Sequence, residues 1–243
     1  DVRTGEPIVD ALRKCPNLTL VQPNREWYEE CSQAFLGILY KYSDVVEQYS
    51  IDEAFMDMTG TRLLFGEPVE AAHTLKKEIY ETLGFTVNVG ISSNKLLAKM
   101  AGEFEKPDKV HTLFPEEIQE KMWPLPVREL FLVGGASEQK LRGMGIHTIG
   151  ELAQADPNML KAVLKKHGEA LWEYANGRDV SPVEAIAADN KCYGNSITLA
   201  ADVTEAEEAK RVLLSLTETV GRRLRRDKVW IETVCVARRF FDL

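Results

Sequence analysis

Asp52 and Glu53 are adjacent carboxylates within Ser50-Ile51-Asp52-Glu53, a pair suited to holding a hard divalent cation. Such cations prefer oxygen ligands, keep several waters, and are usually held by one or two carboxylates together with substrate phosphates. Val45, Val46 and Tyr49 precede the tetrapeptide, and Phe55, Met56 and Met58 follow it, with Asp57 between them and Thr59-Gly60 closing the pattern. That arrangement predicts a β-hairpin with the carboxylates at or beside its turn. An acidic turn that only keeps a hairpin soluble has the same local sequence, so the rest of the chain must decide between the two.

The elements that position this pair can be read outward from it. Ile8 to Lys14 reads as a helix stopped by Cys15-Pro16-Asn17, Leu18 to Val21 as an extended piece, and Glu26 to Tyr42 as a long amphipathic helix with Tyr28, Phe35, Ile38 and Leu39 as core positions. After the hairpin, Pro68 to Leu83 reads as a helix ended by Gly84, and Phe85 to Ile91 alternates as a strand. Helices are thus expected to interleave with strands of one sheet. Gly90 to Ala101 is a strand end running into a helix with serines as caps. Leu96, Leu97, Met100, Ala101 and Phe104 form its apolar face, and the helix breaks near Lys106-Pro107. Lys95 and Lys99 lie four residues apart on another face; with Lys106 they are either solvated or in contact with an anion.

Further along, Val133-Gly134-Gly135-Ala136 lies between Leu125 to Leu130 and a helix through Leu141, and Gly145-Ile146-His147-Thr148-Ile149-Gly150-Glu151-Leu152 follows. Helix, glycine hairpin, helix is the pattern of a helix-hairpin-helix module. Glycine allows close approach to a phosphate, and backbone N–H groups at a helix N-terminus supply donors with a positive dipole. Such a module positions a nucleic-acid backbone without reading bases. An ordinary corner between two helices that uses glycine to turn would look similar.

The global properties narrow the class. With 243 residues, 44% hydrophobic and 28% charged, the chain has the composition of a soluble globular protein of one large or two to three small domains. No apolar run approaches the roughly 20 residues of a membrane helix, and the N-terminus lacks the succession of a signal peptide. No membrane partner and a cytoplasmic location are the expectation. Cys15, Cys31, Cys192 and Cys235 are scattered without a C-x-x-C pair, which argues for reduced thiols over a zinc site or a disulfide framework. A net charge of −8 should repel a polyanion, but the charge is uneven. Residues 1–189 carry 20 basic against 30 acidic side chains and residues 190–243 carry 10 against 8, including the run from Arg222 to Lys228 at a helix end. A local basic stripe on an acidic body is compatible with DNA contact, as well as with a solvated face.

In order, the Ser-Ile-Asp-Glu hairpin, the Gly90 to Ala101 strand and helix with Lys106-Pro107 behind it, the hairpin module, and Gly177-Arg178-Asp179 before Pro182-Val183 resemble the Y-family translesion DNA polymerases, of the bacterial polymerase IV and UmuC type. The resemblance runs through essentially the whole chain. It implies an α+β fold of right-hand architecture: a palm with a mixed or antiparallel sheet and helices, a helical thumb, and a partial α/β little finger. Residues 1–22 would be a remnant of the fingers, 23–122 the palm, 123–183 the thumb, 184–189 a linker and 190–243 part of the little finger.

The activity implied is template-directed DNA synthesis across damaged DNA, with primer–template DNA and deoxynucleoside triphosphates as partners and a sliding clamp as a further one. In the family, Asp52 and Glu53 would join an upstream aspartate in holding two magnesium ions. Lys106 matches the lysine that contacts the triphosphate, and Gly5 lies in the loop over the nascent base pair. Gly134, Gly135, Ala136 and Ser137 would offer amides to a DNA phosphate, and Lys191 would grip template backbone.

The same resemblance implies departures. The upstream aspartate, the aromatic steric gate and the Tyr/Arg pair for the triphosphate have no counterpart in this chain, and only strand, helix and strand of the little finger are expected before Leu243. The chain alone is therefore expected to bind magnesium weakly and to be inactive without the rest of the protein. Leu132 and Val133 stand where the family often has Gly-Val, and Glu6 where it favours methionine. Two other classes use some of the same features. A repair glycosylase of the hairpin class would use a lysine or aspartate such as Asp156, and a non-catalytic DNA-binding or scaffold paralogue would keep the fold alone.

Overall fold

The computed structural model describes residues 2–186 and 190–239, and the chain divides into two compact units, residues 1–187 and 188–243. In the first unit, α1 spans Ile8–Lys14 and α2 spans Arg25–Leu39. Asn24 starts α2 by accepting the Trp27 N–H at 3.1 Å, satisfying a donor that the first helical turn leaves over. Ile38 and Leu39 are buried as expected, with Leu36 buried beside them, whereas Tyr28, expected in the core, is 46% exposed.

Strands β1 (Val46–Gln48) and β2 (Ala54–Met56) pair antiparallel, with Glu47 opposite Phe55. The short α3 (Arg62–Phe65) leads into α4 (Pro68–Leu83). Proline in the first turn of α4 has the fixed φ a helix start tolerates, and Gly84 ends it in the left-handed region at φ 77°. One core gathers Leu36, Leu39, Tyr42, Val46, Leu75 and Ile79 beneath the hairpin.

Strand β3 (Val89–Ile91) pairs parallel with β4 (Val110–Thr112), and α5 (Lys95–Glu103) forms the connection between them. Gly90 is required where β3 crosses α5. A Cβ there would lie 1.9 Å from the Ala98 carbonyl oxygen, a distance no side chain tolerates. The cap of α5 is not a serine but Asn94, whose side chain accepts the Leu97 N–H at 2.8 Å.

The expected single sheet is corrected by this arrangement. β1 and β2 form one two-stranded sheet and β3 and β4 another, with no pairing between β2 and β3. The strand expected over 85–91 is correspondingly reduced to its last three residues.

Helices α6 (Gly135–Gly143), α7 (Ile149–Gln154), α8 (Pro157–Leu164) and α9 (Lys166–Ala175) complete this unit. The element expected as a helix before the glycine hairpin is only a 3-10 turn, Val127–Glu129. Thr148 and Glu151 form a reciprocal cap on α7: Thr148 Oγ1 accepts the Glu151 N–H at 3.1 Å, and Glu151 accepts the Thr148 N–H at 3.0 Å. Leu97 and Met100 of α5 share a core with Leu141, Ile149, Leu160 and Leu171. Burying each such side chain stabilises the fold by about 2 kcal/mol, so α5 is common to the strand-bearing and helical parts.

In the second unit, α10 spans Ala206–Asp227 and no other helix or strand occurs among the described residues. The expected flanking strands are absent there. Trp230, Val234 and Val236 are exposed, and an extended segment becomes a strand only when a partner edge supplies its hydrogen bonds.

Candidate functional site

The hairpin turn is built by its own sequence. The Tyr49 and Ser50 N–H groups both donate to the Glu53 carbonyl, at 2.9 and 3.1 Å. Ser50 Oγ donates to Asp52 Oδ1 at 2.7 Å and accepts the Asp52 N–H at 3.3 Å. The serine thus fixes the carboxylate two residues on, which is a local pattern favoured by Ser and Asp in turns.

Asp52 and Glu53 open onto a groove of about 650 Å³ that is also lined by Lys99, Glu103 and Lys106. Its apolar wall includes Phe35, Phe55, Phe85 and Val87, and the unpaired edges of β2 and β3 face it through Ala54 and Gly90. Tyr28, displaced from the expected core, lines the same groove.

Four charges run in sequence through it. Lys99 donates to Glu53 at 2.5 Å and to Glu103 at 3.0 Å, and Lys106 pairs with Glu103 at 2.7 Å. Burial of Lys99 opposes its charge, but the hydrogen bonds to Glu53 and Glu103 outweigh that and raise its pKa. Burial of Glu103 would raise its pKa, yet the hydrogen bonds from Lys106 and Lys99 prevail and hold it below the usual carboxylate range. Both groups stay ionised as a result. Glu103 is a member of this cluster that sequence reasoning missed; its place one turn from Lys99 and three residues before Lys106 was the available signal.

The other expected residues lie elsewhere. Gly5 is at φ 77° in an exposed turn outside the lining of the groove. Gly134 precedes α6, and Gly135, Ala136 and Ser137 are its first residues, where N–H groups lack intrahelical acceptors. The left-handed residue of this hairpin is Leu132, at φ 68°, and neither Gly134 nor Gly135 has a positive φ. Within the chain, glycine at 134 is required neither for turning nor for packing, since an added Cβ would meet nothing within 4 Å. Arg128 also sits at this corner, 3.1 Å from where a Gly135 Cβ would be and 3.2 Å from Glu138. Lys191 is exposed in a stretch without helix or strand in the second unit. Asp156 caps α8 by accepting the Asn158 N–H at 2.8 Å, the ordinary role of an N-cap aspartate.

The donor set suits a hard cation, as both adjacent side chains offer carboxylate oxygens to the groove. Among the described residues no cluster of three or more His, Cys, Asp or Glu could hold a metal by itself. No helix among them is long and apolar enough to cross a membrane.

A two-part α/β and helix-hairpin-helix body with an acidic hairpin on a groove of alternating charge is the architecture of a known family. The impB/mucB/samB family matches residues 1–103, its C-terminal domain residues 190–242, and the IMS family HHH motif residues 115–146. The chain belongs to this family, the Y-family DNA polymerases. DNA polymerase IV of Clostridium acetobutylicum is 46% identical over 98% of this chain and 60% of its own length. DNA polymerase IV 2 of Bacillus subtilis is 42% identical over 96% of this chain and 58% of its own length. The chain thus spans about three fifths of the curated relatives it matches. Among solved structures, a chimeric Y-family DNA polymerase superposes with a TM-score of 0.81 at 27% identity, covering 91% of this chain and 64% of that one. An insertion ternary complex of Dbh DNA polymerase gives 0.70 at 27% identity with the same coverage.

Proposed function

We propose that the complete protein is a DNA-directed DNA polymerase of the translesion type, acting on primer–template DNA and deoxynucleoside triphosphates in the cytoplasm. The observation that carries this reading is the convergence of Asp52, Glu53 and Lys106 on one groove in a chain of this family. Residues 23–122 would act as the palm, 123–183 as the thumb, 1–22 as part of the fingers and 190–243 as part of the little finger. A sliding clamp as further partner rests on the resemblance alone.

Asp52 and Glu53 would hold Mg²⁺, with a further carboxylate from the rest of the protein. When bound, two such ions lower the pKa of the primer 3′-hydroxyl and stabilise the charge that develops on the triphosphate. The chain's own groups do the rest. Ser50 keeps the Asp52 carboxylate oriented, and Lys106 supplies a positive charge at the groove for the triphosphate. The N–H groups of Gly134 to Ser137 receive a DNA phosphate at the start of α6, Lys191 adds a template-backbone contact, and Gly5 contributes to the loop over the base pair.

Templated primer extension by the complete protein tests the reading. Asp52→Ala should abolish extension while DNA affinity changes less than about threefold, because phosphate contacts elsewhere dominate binding. DNA binding without extension in the wild type would instead support the non-catalytic paralogue.

A further inference from the structure

One ion pair lies outside the groove and joins parts of the first unit that are far apart in sequence. Lys95, at the start of α5, donates to both carboxylate oxygens of Glu47 on β1, at 2.7 and 2.6 Å. The same ammonium donates to the Pro182 carbonyl at 3.2 Å, and Glu47 Oε2 accepts the Glu184 N–H at 2.8 Å. Both side chains are mostly buried, 15% and 18% exposed, and Lys95 Nζ lies 5.1 Å from the centroid of the Phe55 ring.

The neighbouring bonds bind the same segment. Asn94 Nδ2 donates to the Gly177 carbonyl at 2.9 Å, and the Leu96 N–H donates to Asp179 Oδ2 at 3.2 Å. Asp179 Oδ1 in turn accepts the Ser181 N–H and hydroxyl, at 3.0 and 2.6 Å. At Gly177, φ is 71° and a Cβ would lie 2.3 Å from Ile118 Cδ1, so the segment leaves α9 along one fixed path. Residues 177–184 are thus a strap that leaves the helical part and is held to the hairpin strands and the start of α5.

Glu47 is opposite Phe55 in the hairpin ladder, two residues beyond Glu53. The strap continues from α9, which packs in the same core as α6 and α7. The ion pair consequently sits at the joint between the strands that carry the carboxylates and the helices that carry the phosphate-facing hairpin. Packing alone does not require charge here, since a well-fitted apolar pair is often at least as stabilising as a buried ion pair. What the charged pair adds is geometry, because a carboxylate accepting from two donors fixes both in place.

We propose that Glu47 and Lys95 are positioning residues: together they lock the 177–184 strap to the carboxylate hairpin and so hold Asp52 and Glu53 at a fixed distance from the N–H groups of α6. Through the joint they would set the alignment of primer end and metal site, which rests on the polymerase reading above.

Hydrogen exchange and primer extension on the complete protein, wild type and the Glu47→Gln, Lys95→Met and Lys95→Arg variants, test this. Amides of residues 177–186 should exchange at least about tenfold faster in Glu47→Gln and Lys95→Met, with those of α4 unchanged. At saturating substrate, kcat in these two variants should fall about tenfold with nucleotide KM and DNA Kd within about twofold. Lys95→Arg, which keeps the charge and the paired donors, should recover most of the loss. Unchanged exchange in the strap, an equal rise in α4, or faster exchange at unaltered kcat would each overturn the proposal. A wild type that extends no primer would refute the polymerase reading, and with it the alignment role, while strap exchange would still decide whether the pair locks the joint.

Discussion

Lys99 Nζ lies 2.5 Å from Glu53 Oε1, so a cation provided by the chain already occupies one side of the carboxylate that is proposed to hold a metal. An ammonium and a divalent ion that share one carboxylate repel each other. With the solvent screening of a partly exposed site, that repulsion amounts to about 1 kcal/mol. Lys99→Met should therefore lower the Mg²⁺ concentration for half-maximal extension by about fivefold. A Mg²⁺ titration that gives the wild-type midpoint, or a higher one, would count against competition between Lys99 and the metal.

Lys106 and Glu103 form the outer end of the same charge sequence. Their pair is about half exposed, 51% and 45%, and an ion pair of that kind is worth at most about 1 kcal/mol. If Lys106 serves the triphosphate, Glu103 competes for it. Lys106→Ala should raise nucleotide KM by about tenfold or more, whereas Glu103→Gln should lower it by about twofold. DNA affinity should be nearly constant in both. Steady-state kinetics with varied nucleotide decide this, and opposite-signed shifts are the expected pattern.

Much of the frame was legible in the sequence where a single residue dictates backbone geometry. Pro68 and Gly84 bound α4 because one has a fixed φ and the other enters the left-handed region, and neither depends on tertiary contacts. The acidic hairpin was legible for a similar reason, as alternating apolar residues flank a serine–aspartate turn. Lys95 was not legible as a buried partner, since Glu47 lies 48 residues away and a lysine on a helix gives no local sign of what covers it. The cap at Asn94 was misassigned to serine because all three candidates in Ser92-Ser93-Asn94 can cap. The little-finger strands failed for a different reason: alternation encodes a face, but pairing requires an edge that the described residues do not supply.

Leu132 gives a stability prediction at the glycine hairpin. It is a non-glycine residue at φ 68°, where the Cβ crowds the following carbonyl at a cost of about 1–2 kcal/mol. The residue is 54% exposed, so little burial is lost on removing its side chain. Leu132→Gly should stabilise the protein by up to about 1 kcal/mol, the relief of strain exceeding the added entropy of an unfolded glycine. Urea denaturation should show a higher midpoint at unchanged slope. A lower midpoint would mean that the leucine contributes contacts that outweigh its backbone strain.

Tyr42 gives a pH dependence in the core beneath the hairpin. Its hydroxyl donates to Glu78 at 2.8 Å. Burial, followed by the hydrogen bond and the negative charge of Glu78, raises its pKa to about 12 from an ordinary value of 10.0. The folded state thus favours the neutral phenol, and its contribution is fully present below pH 10.0 and is lost as the pH rises from there through about 12. Tyr42→Phe removes this group and leaves the ring that packs 4.7 Å from Phe65. Urea midpoints measured at pH 8 and pH 11 should therefore fall less in Tyr42→Phe than in the wild type. Equal falls would show that Tyr42 ionises no differently in the folded and unfolded chains.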